Sequence, residues 1–197
     1  MSKSTTPGRR RPARERLLAA AERRFYAEGV TATGIDTVTA DAGVAKMSLY
    51  NNFSSKSDLV RAYLDARHED WLARYRARIA KTSGPVEAVL AIFDTYIDTA
   101  HSAQETGFRG CGLLNAAAEL PADDEGRTVV RRHKEEVEHL LTGHLERLLP
   151  ERPDEARATA EHLSFLLEGA ITRAGLEGET TRLHHARTLA ATLLPTP

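Results

Sequence analysis

The chain has 197 residues, 41% of them hydrophobic and 28% charged, with a formal net charge of −1; that balance excludes wholesale disorder, and the length suits one domain or two small ones. No run approaches the ~18 consecutive apolar residues of a membrane span, and the basic start MSKSTTPGRRRPARER has no apolar segment behind it, so neither a membrane partner nor a secretory signal is expected. The single cysteine, Cys111, excludes an intrachain disulfide and any multi-cysteine metal site, which fits a reducing, cytoplasmic setting.

Alanine and leucine dominate and aromatics are only 6%, which favours helices packed on helices. Charge is uneven. Residues 1–60 hold ten Lys+Arg against six Asp+Glu, and six of those ten lie within residues 1–16, while the rest of the chain is net acidic. Such a distribution suggests that only this end meets a polyanion.

Residues 1–11, with three consecutive arginines among Ser, Thr, Gly and Pro, read as a flexible basic arm. Pro12 suits the first turn of a helix that runs to Glu28, with Leu17, Leu18, Ala21 and Phe25 on one face and Gly29 at its end. Thr33 is the expected N-cap of a short second helix, Ile35–Ala42, which Gly43 stops. A third short helix covers about Ala45–Asn51. Ser55 or Ser57 caps a long fourth helix that reaches about Lys81. Further helices are expected over Val86–Ala103, Cys111–Leu120, Glu125–Leu149, Asp154–Leu176 and Thr180–Leu194, separated by Gly and Pro. No segment alternates with a two-residue period, so no sheet is expected. The reading is an all-α protein of about nine helices.

Residues 33–53, TGIDTVTADAGVAKMSLYNNF, place two short helices around a glycine turn, the helix-turn-helix pattern. Close crossing needs a modest side chain before the turn, here Thr39. The turn needs a residue that tolerates a left-handed backbone, here Gly43. Val44 plugs the crossing, and Leu49 and Phe53 anchor the second helix. That leaves Ala45, Lys46, Ser48, Tyr50, Asn51 and Asn52 pointing partly outward, with side chains that suit phosphates and base edges in a major groove.

The run resembles the DNA-binding domain of the tetracycline-repressor (TetR) family of bacterial transcriptional regulators. Phe25, Gly29, Thr33, Val38-Thr39, Ala42-Gly43-Val44, Leu49-Tyr50-Asn51-Asn52-Phe53 and Ser55-Lys56 occur in that family's order and spacing over about residues 14–60. Departures are Thr39 for the usual Ala, Met47 for the usual Gly, and Asn52 for the usual His. The resemblance implies a helix-turn-helix domain over 12–58 and a ligand-binding and dimerisation domain over 59–197. It implies a homodimer on palindromic double-stranded operator DNA, acting by default as a repressor and released by a small molecule. It further implies that Thr33, Tyr50 and Lys56 contact phosphates, and that Lys46, Met47, Ser48 and Asn51 face base edges. The arginine arm would add phosphate or minor-groove contacts, or remain a solvated tail.

The last two expected helices carry stripes of small and apolar residues: Ala156, Ala160, Leu163, Leu167, Ala170 and Ala174, then Leu183, Ala186, Ala190 and Leu193. Their heptad-like spacing fits a four-helix dimer interface, with packing on the chain's own core as the alternative. Two-fold symmetry would then set recognition helices roughly 34–36 Å apart. A ligand pocket is expected between the fourth and eighth helices, from Trp71, Tyr75, Phe93, Tyr96, Ile97, Phe108, Asn115, Glu119 and Phe165. Asn115 and Glu119, four apart, would orient the ligand. Cys111, at a helix start, is either a redox-sensing thiol or a small core residue. His133, His139 and His144, six and five apart, do not read as one helical face, and no His-x-x-x-His occurs, so no metal or cofactor is expected. The competing classes are a helical small-molecule-binding enzyme and an interaction module without DNA binding. No Gly-x-Ser-x-Gly elbow or phosphate-cradling glycine loop supports the first, and the second leaves 33–53 unexplained.

Overall fold

The computed structural model describes residues 12–104 and 107–194; the expected basic arm, residues 1–11, lies outside them. The described residues form nine helices and no strand: α1 (Pro12–Glu28), α2 (Ile35–Ala42), α3 (Lys46–Tyr50), α4 (Lys56–Ile79), α5 (Pro85–Gln104), α6 (Gly112–Glu119), α7 (Glu125–Leu148), α8 (Pro153–Glu177) and α9 (Thr181–Leu193). None of these helices is long and apolar enough to cross a membrane. The chain divides into two compact units between Tyr63 and Leu64, within α4.

In the first unit α1, α2 and α3 pack on one another. Leu17, Ala21 and Phe25 of α1, Val38 of α2, Leu49 of α3 and Phe53 behind it are all buried, and the Phe25 and Tyr63 rings meet edge to face. Asp41 of α2 takes hydrogen bonds from Arg23 and Arg24 of α1, which hold its carboxyl below the usual carboxylate range. The turn after α2 follows from its glycine. Gly43 sits at φ +62°, its N–H donates to the Ala40 carbonyl, and the Val44 N–H reaches back to Thr39. That pair of bonds closes the last helical turn, and only a residue at ease in the left-handed region completes it without strain.

The first turn of α2 departs from expectation. Its N-cap is Gly34, with no side-chain cap bond, and not Thr33. Thr33 is fully buried and its hydroxyl donates to the Gly29 carbonyl at 2.7 Å, so it ties down the α1–α2 loop. Ser55 does cap α4, accepting from the Asp58 N–H at 3.0 Å, while the Asp58 carboxylate takes the Ser54 N–H in return.

In the second unit, α7 packs on α5 and α8, and α9 on α5 and α8. Trp71, Tyr75, Phe93, Tyr96, Ile97 and Phe108 belong to one continuous buried cluster with aliphatic residues of α7, α8 and α9. The loop before α6 lies directly on α8. A Cβ on Gly175 would fall 2.5 Å from the backbone nitrogen of Gly110, so backbone meets backbone there. At the bundle's edge Arg187 of α9 and Arg78 of α4 both engage Asp94 of α5.

Candidate functional site

Of the nine positions expected to face DNA, α3 and its flanks present most. Leu49 turns inward as the anchor, which forces the opposite side of this five-residue helix outward. Met47 is 70% and Tyr50 48% exposed, and Ala45, Lys46 and Asn51 are exposed beside them. Ser48 is half-buried. Two residues point elsewhere than expected. Thr33 offers no side chain to solvent, as described above. Asn52 is half-buried and turns its amide back, donating to the Ser48 carbonyl at 2.7 Å, which uses one of its donors to close α3. Lys56 is held near this surface by donating to the Thr31 carbonyl. Lys46 meets Asp36 of α2 at 2.8 Å, and that carboxylate holds its ammonium above the usual lysine value.

The second unit encloses a polar string in an apolar core. Lys134 donates to the Tyr96 hydroxyl oxygen at 3.5 Å, Tyr96 lies 3.2 Å from His133 Nε2, and His133 Nδ1 lies 3.0 Å from His68 Nδ1. One direction satisfies every member: the Tyr96 O–H donates to a neutral His133, whose Nδ1–H donates to His68. Burial, then the nearby Lys134, His68 and Arg67, push His133 down to about 3. Tyr75 pairs with His144 on the same side of the core. Trp71 stacks on Tyr75 and meets His133 edge-on, yet its Nε1–H is buried with no partner among the described residues. Lys134 also bonds Glu168 at 2.7 Å and reaches the half-buried Cys111 sulfur at 3.7 Å. No group of three metal-ligating side chains occurs among the described residues.

Several sequence expectations need correction here. Phe165 is 62% exposed and lines no core pocket. Asn115 and Glu119 face away from the core, because α6 buries Leu113, Ala116 and Ala117 on its other side; the Asn115 amide donates to the Arg109 carbonyl. The small-residue stripe is internal. Ala160, Leu163, Leu167, Ala170, Ala174, Leu183, Ala186 and Ala190 are all buried against their own unit, leaving Leu193 exposed. The alanines let α8 and α9 approach each other and the rest of the bundle. The opposite face is the open one: Phe165, Gly169, Arg173, His185 and Leu189 line a shallow groove of about 350 Å³ between α8 and α9, and Leu176 and Leu193 of the same two helices are also exposed.

Sequence reasoning also missed the histidines. His133 and His144 share a face of α7 because eleven residues make close to three turns, a relation hidden when only neighbouring spacings are compared.

Comparison with known proteins bears on the first unit most directly. The family model described as bacterial regulatory proteins, tetR family, matches residues 17–63. The HTH-type transcriptional regulator TtgR of Pseudomonas putida is 43% identical over 63 residues, a match spanning 31% of this chain and 30% of that protein. The HTH-type transcriptional repressor ComR of Escherichia coli is 28% identical over 122 residues, 61% of this chain and 58% of ComR. Across nearly the whole length, the crystal structure of SCO4454, a TetR-family transcriptional regulator from Streptomyces coelicolor, superposes with a TM-score of 0.80 at 33% identity, covering 93% of this chain and 96% of that one.

Proposed function

This chain belongs to the tetR family of bacterial regulatory proteins, transcriptional regulators with a helix-turn-helix DNA-binding unit, and from that premise we propose that it is a homodimeric repressor of a palindromic operator, released when a small molecule enters its second unit. Its relatives are named as transcriptional regulators, and the chain is a regulator and not an enzyme. The observation that carries the proposal is the split personality of α3, with Leu49 buried and Met47, Tyr50, Lys46 and Asn51 outward. A helix with its side chains is about 10–12 Å across, a fit for a major groove about 12 Å wide. Tyr50, Lys46 and Lys56 supply the phosphate and base-edge donors, and the arm of residues 1–11 adds charge. Selection from a random-sequence duplex library tests the reading: the protein should enrich an inverted repeat, and enrichment of no sequence at low salt overturns it.

The second copy is assigned to the open face of α8 and α9. Phe165, Leu176, Leu189 and Leu193 are large apolar side chains left in water by a single chain, and a self-complementary pairing about a two-fold axis would cover them. Light scattering of the wild type should give twice the 21.7 kDa of one chain. Phe165→Glu with Leu189→Glu should return it to a single chain's mass with helicity intact, since both residues are exposed. A wild-type monomer at micromolar concentration overturns the dimer.

The ligand site is assigned to the aromatic core around Trp71. An indole N–H buried without an acceptor costs free energy that a ligand oxygen would recover, and the Tyr75, Tyr96 and Phe93 rings favour a mainly apolar body. Trp71 is the chain's sole tryptophan. Titration with lipophilic, acceptor-bearing metabolites should therefore quench or shift its emission and raise the melting temperature together; a melting shift with unchanged emission places the ligand elsewhere.

A further inference from the structure

Asp36 and Lys46 stand on adjacent helices of the first unit, and their side chains meet in the open. The ammonium lies 2.8 Å from Asp36 Oδ1, with 55% of the lysine and 79% of the aspartate side chain exposed. Lys46 is the only charged residue of α3, and Asp36 the only acidic residue in the first turn of α2. Exposed pairs of this kind contribute little to folding. Against a phosphate backbone the pair is poorly suited, because the carboxylate offsets the ammonium and repels the same phosphates.

The couple does match one target. In the major groove a G·C pair sets the guanine O6 acceptor beside the cytosine N4 amino donor, one hydrogen bond of about 2.9 Å apart. A lysine N–H donating to O6, and a carboxylate oxygen accepting from N4–H, close a ring whose two long edges are of equal length. The neighbouring atoms settle the orientation. Beside O6 lies guanine N7, a second acceptor for the ammonium, and beyond N4 lies only the cytosine C5–H. A T·A pair also offers an acceptor next to a donor, but it sets the thymine methyl against the ammonium and the adenine N7 lone pair against the carboxylate.

We propose that Asp36 and Lys46 act as one unit that reads a single G·C base pair in each half of the operator. The proposal rests on α3 entering the major groove, and it adds α2 to the reading surface through Asp36. In the free protein Asp36 keeps the lysine aimed beside it; on any other sequence the pair must separate or face a mismatched edge.

The test repeats the duplex-library selection with wild type, Asp36→Ala, Lys46→Ala and the double variant, followed by binding measurements on the enriched site and on its single-pair changes. Thermal melting accompanies each variant, and these exposed side chains should leave it nearly unchanged. Wild type should require G·C at one position per half-site. Each single variant should relax that position alone, with its preference for G·C falling roughly 10-fold or more, and the double variant should relax it no further. Tighter binding of Asp36→Ala to every sequence, with all preferences kept, shows a carboxylate that only repels phosphate and overturns the proposal. Unchanged preferences in both single variants overturn it too, while leaving the repressor reading intact. A wild type that enriches nothing removes both readings together.

Discussion

Leu49→Ala and Tyr50→Ala, neighbours on one five-residue helix, should fail in opposite ways. Leu49 is fully buried, and α3 is too short to hold its shape by its own hydrogen bonds. Truncating it removes the anchor that seats α3 on α1 and α2 and leaves a cavity, at a cost of about 2–5 kcal/mol. In a small unit that is a large share of total stability, so the first unit should melt early and operator binding should vanish with it. Tyr50 is 48% exposed, and its ring does not support the core. Its replacement should move stability by no more than about 0.5 kcal/mol while weakening operator binding by roughly 3–10-fold, the worth of one lost hydrogen bond. Thermal melts and gel shifts on both variants separate the two outcomes. Equal effects on melting would show that Tyr50 supports the fold, and operator binding untouched in Tyr50→Ala would take Tyr50 off the DNA.

Acid should loosen the second unit, and His133 should set much of the slope. Folded, this imidazole stays neutral down to about pH 3, because burial first, and then Lys134, His68 and Arg67, oppose its charge. Unfolded, it takes up a proton near pH 6.5. Above pH 6.5 both states bind the same number of protons and stability does not respond. Between pH 6.5 and about 3 the unfolded chain holds one more proton, so each unit of pH removes about 1.4 kcal/mol. A fall from pH 6.5 to 4.5 therefore costs about 3 kcal/mol through this one group. His144, lowered chiefly by burial, acts in the same direction. Urea unfolding at intervals from pH 7.5 to 4.5 checks the slope, with His133→Gln as the reference. The variant should be less stable at neutral pH, having lost the bond to Tyr96 or His68, yet flatter with pH. Parallel curves would show that His133 titrates alike in both states.

The ends of the helices were legible because they are written in local chemistry. Pro12, Gly43, Ser55, Pro121, Pro153 and Gly178 each act within one turn, and a helix begins or stops within a few residues of each. The inward side of α3 was legible too, since Leu49 and Phe53 are its only large anchors. Faces of longer helices were not. The Ala-rich spacing of α8 suits a partner helix from another copy and a neighbour from the same chain equally well; α7 and α9 took it, and only packing in three dimensions decides that. The cost of that ambiguity was Phe165, placed inward by its hydrophobicity though it stands in water. Thr33 misled for a related reason: a threonine ahead of a helix is a ready cap, but here its hydroxyl found the nearer Gly29 carbonyl. The string from Lys134 to His68 joins residues of three helices far apart in sequence, so no spacing rule announces it.

The contact between Gly110 and Gly175 has a mechanical meaning. With no side chain on either partner, the loop rests on the helical backbone itself, and a slip of α8 by a single residue would drive Ala174 or Leu176 into it. The joint behaves as a ratchet tooth. A shift of α8 toward the loop therefore meets backbone directly, with no flexible side chain between them to take up the displacement.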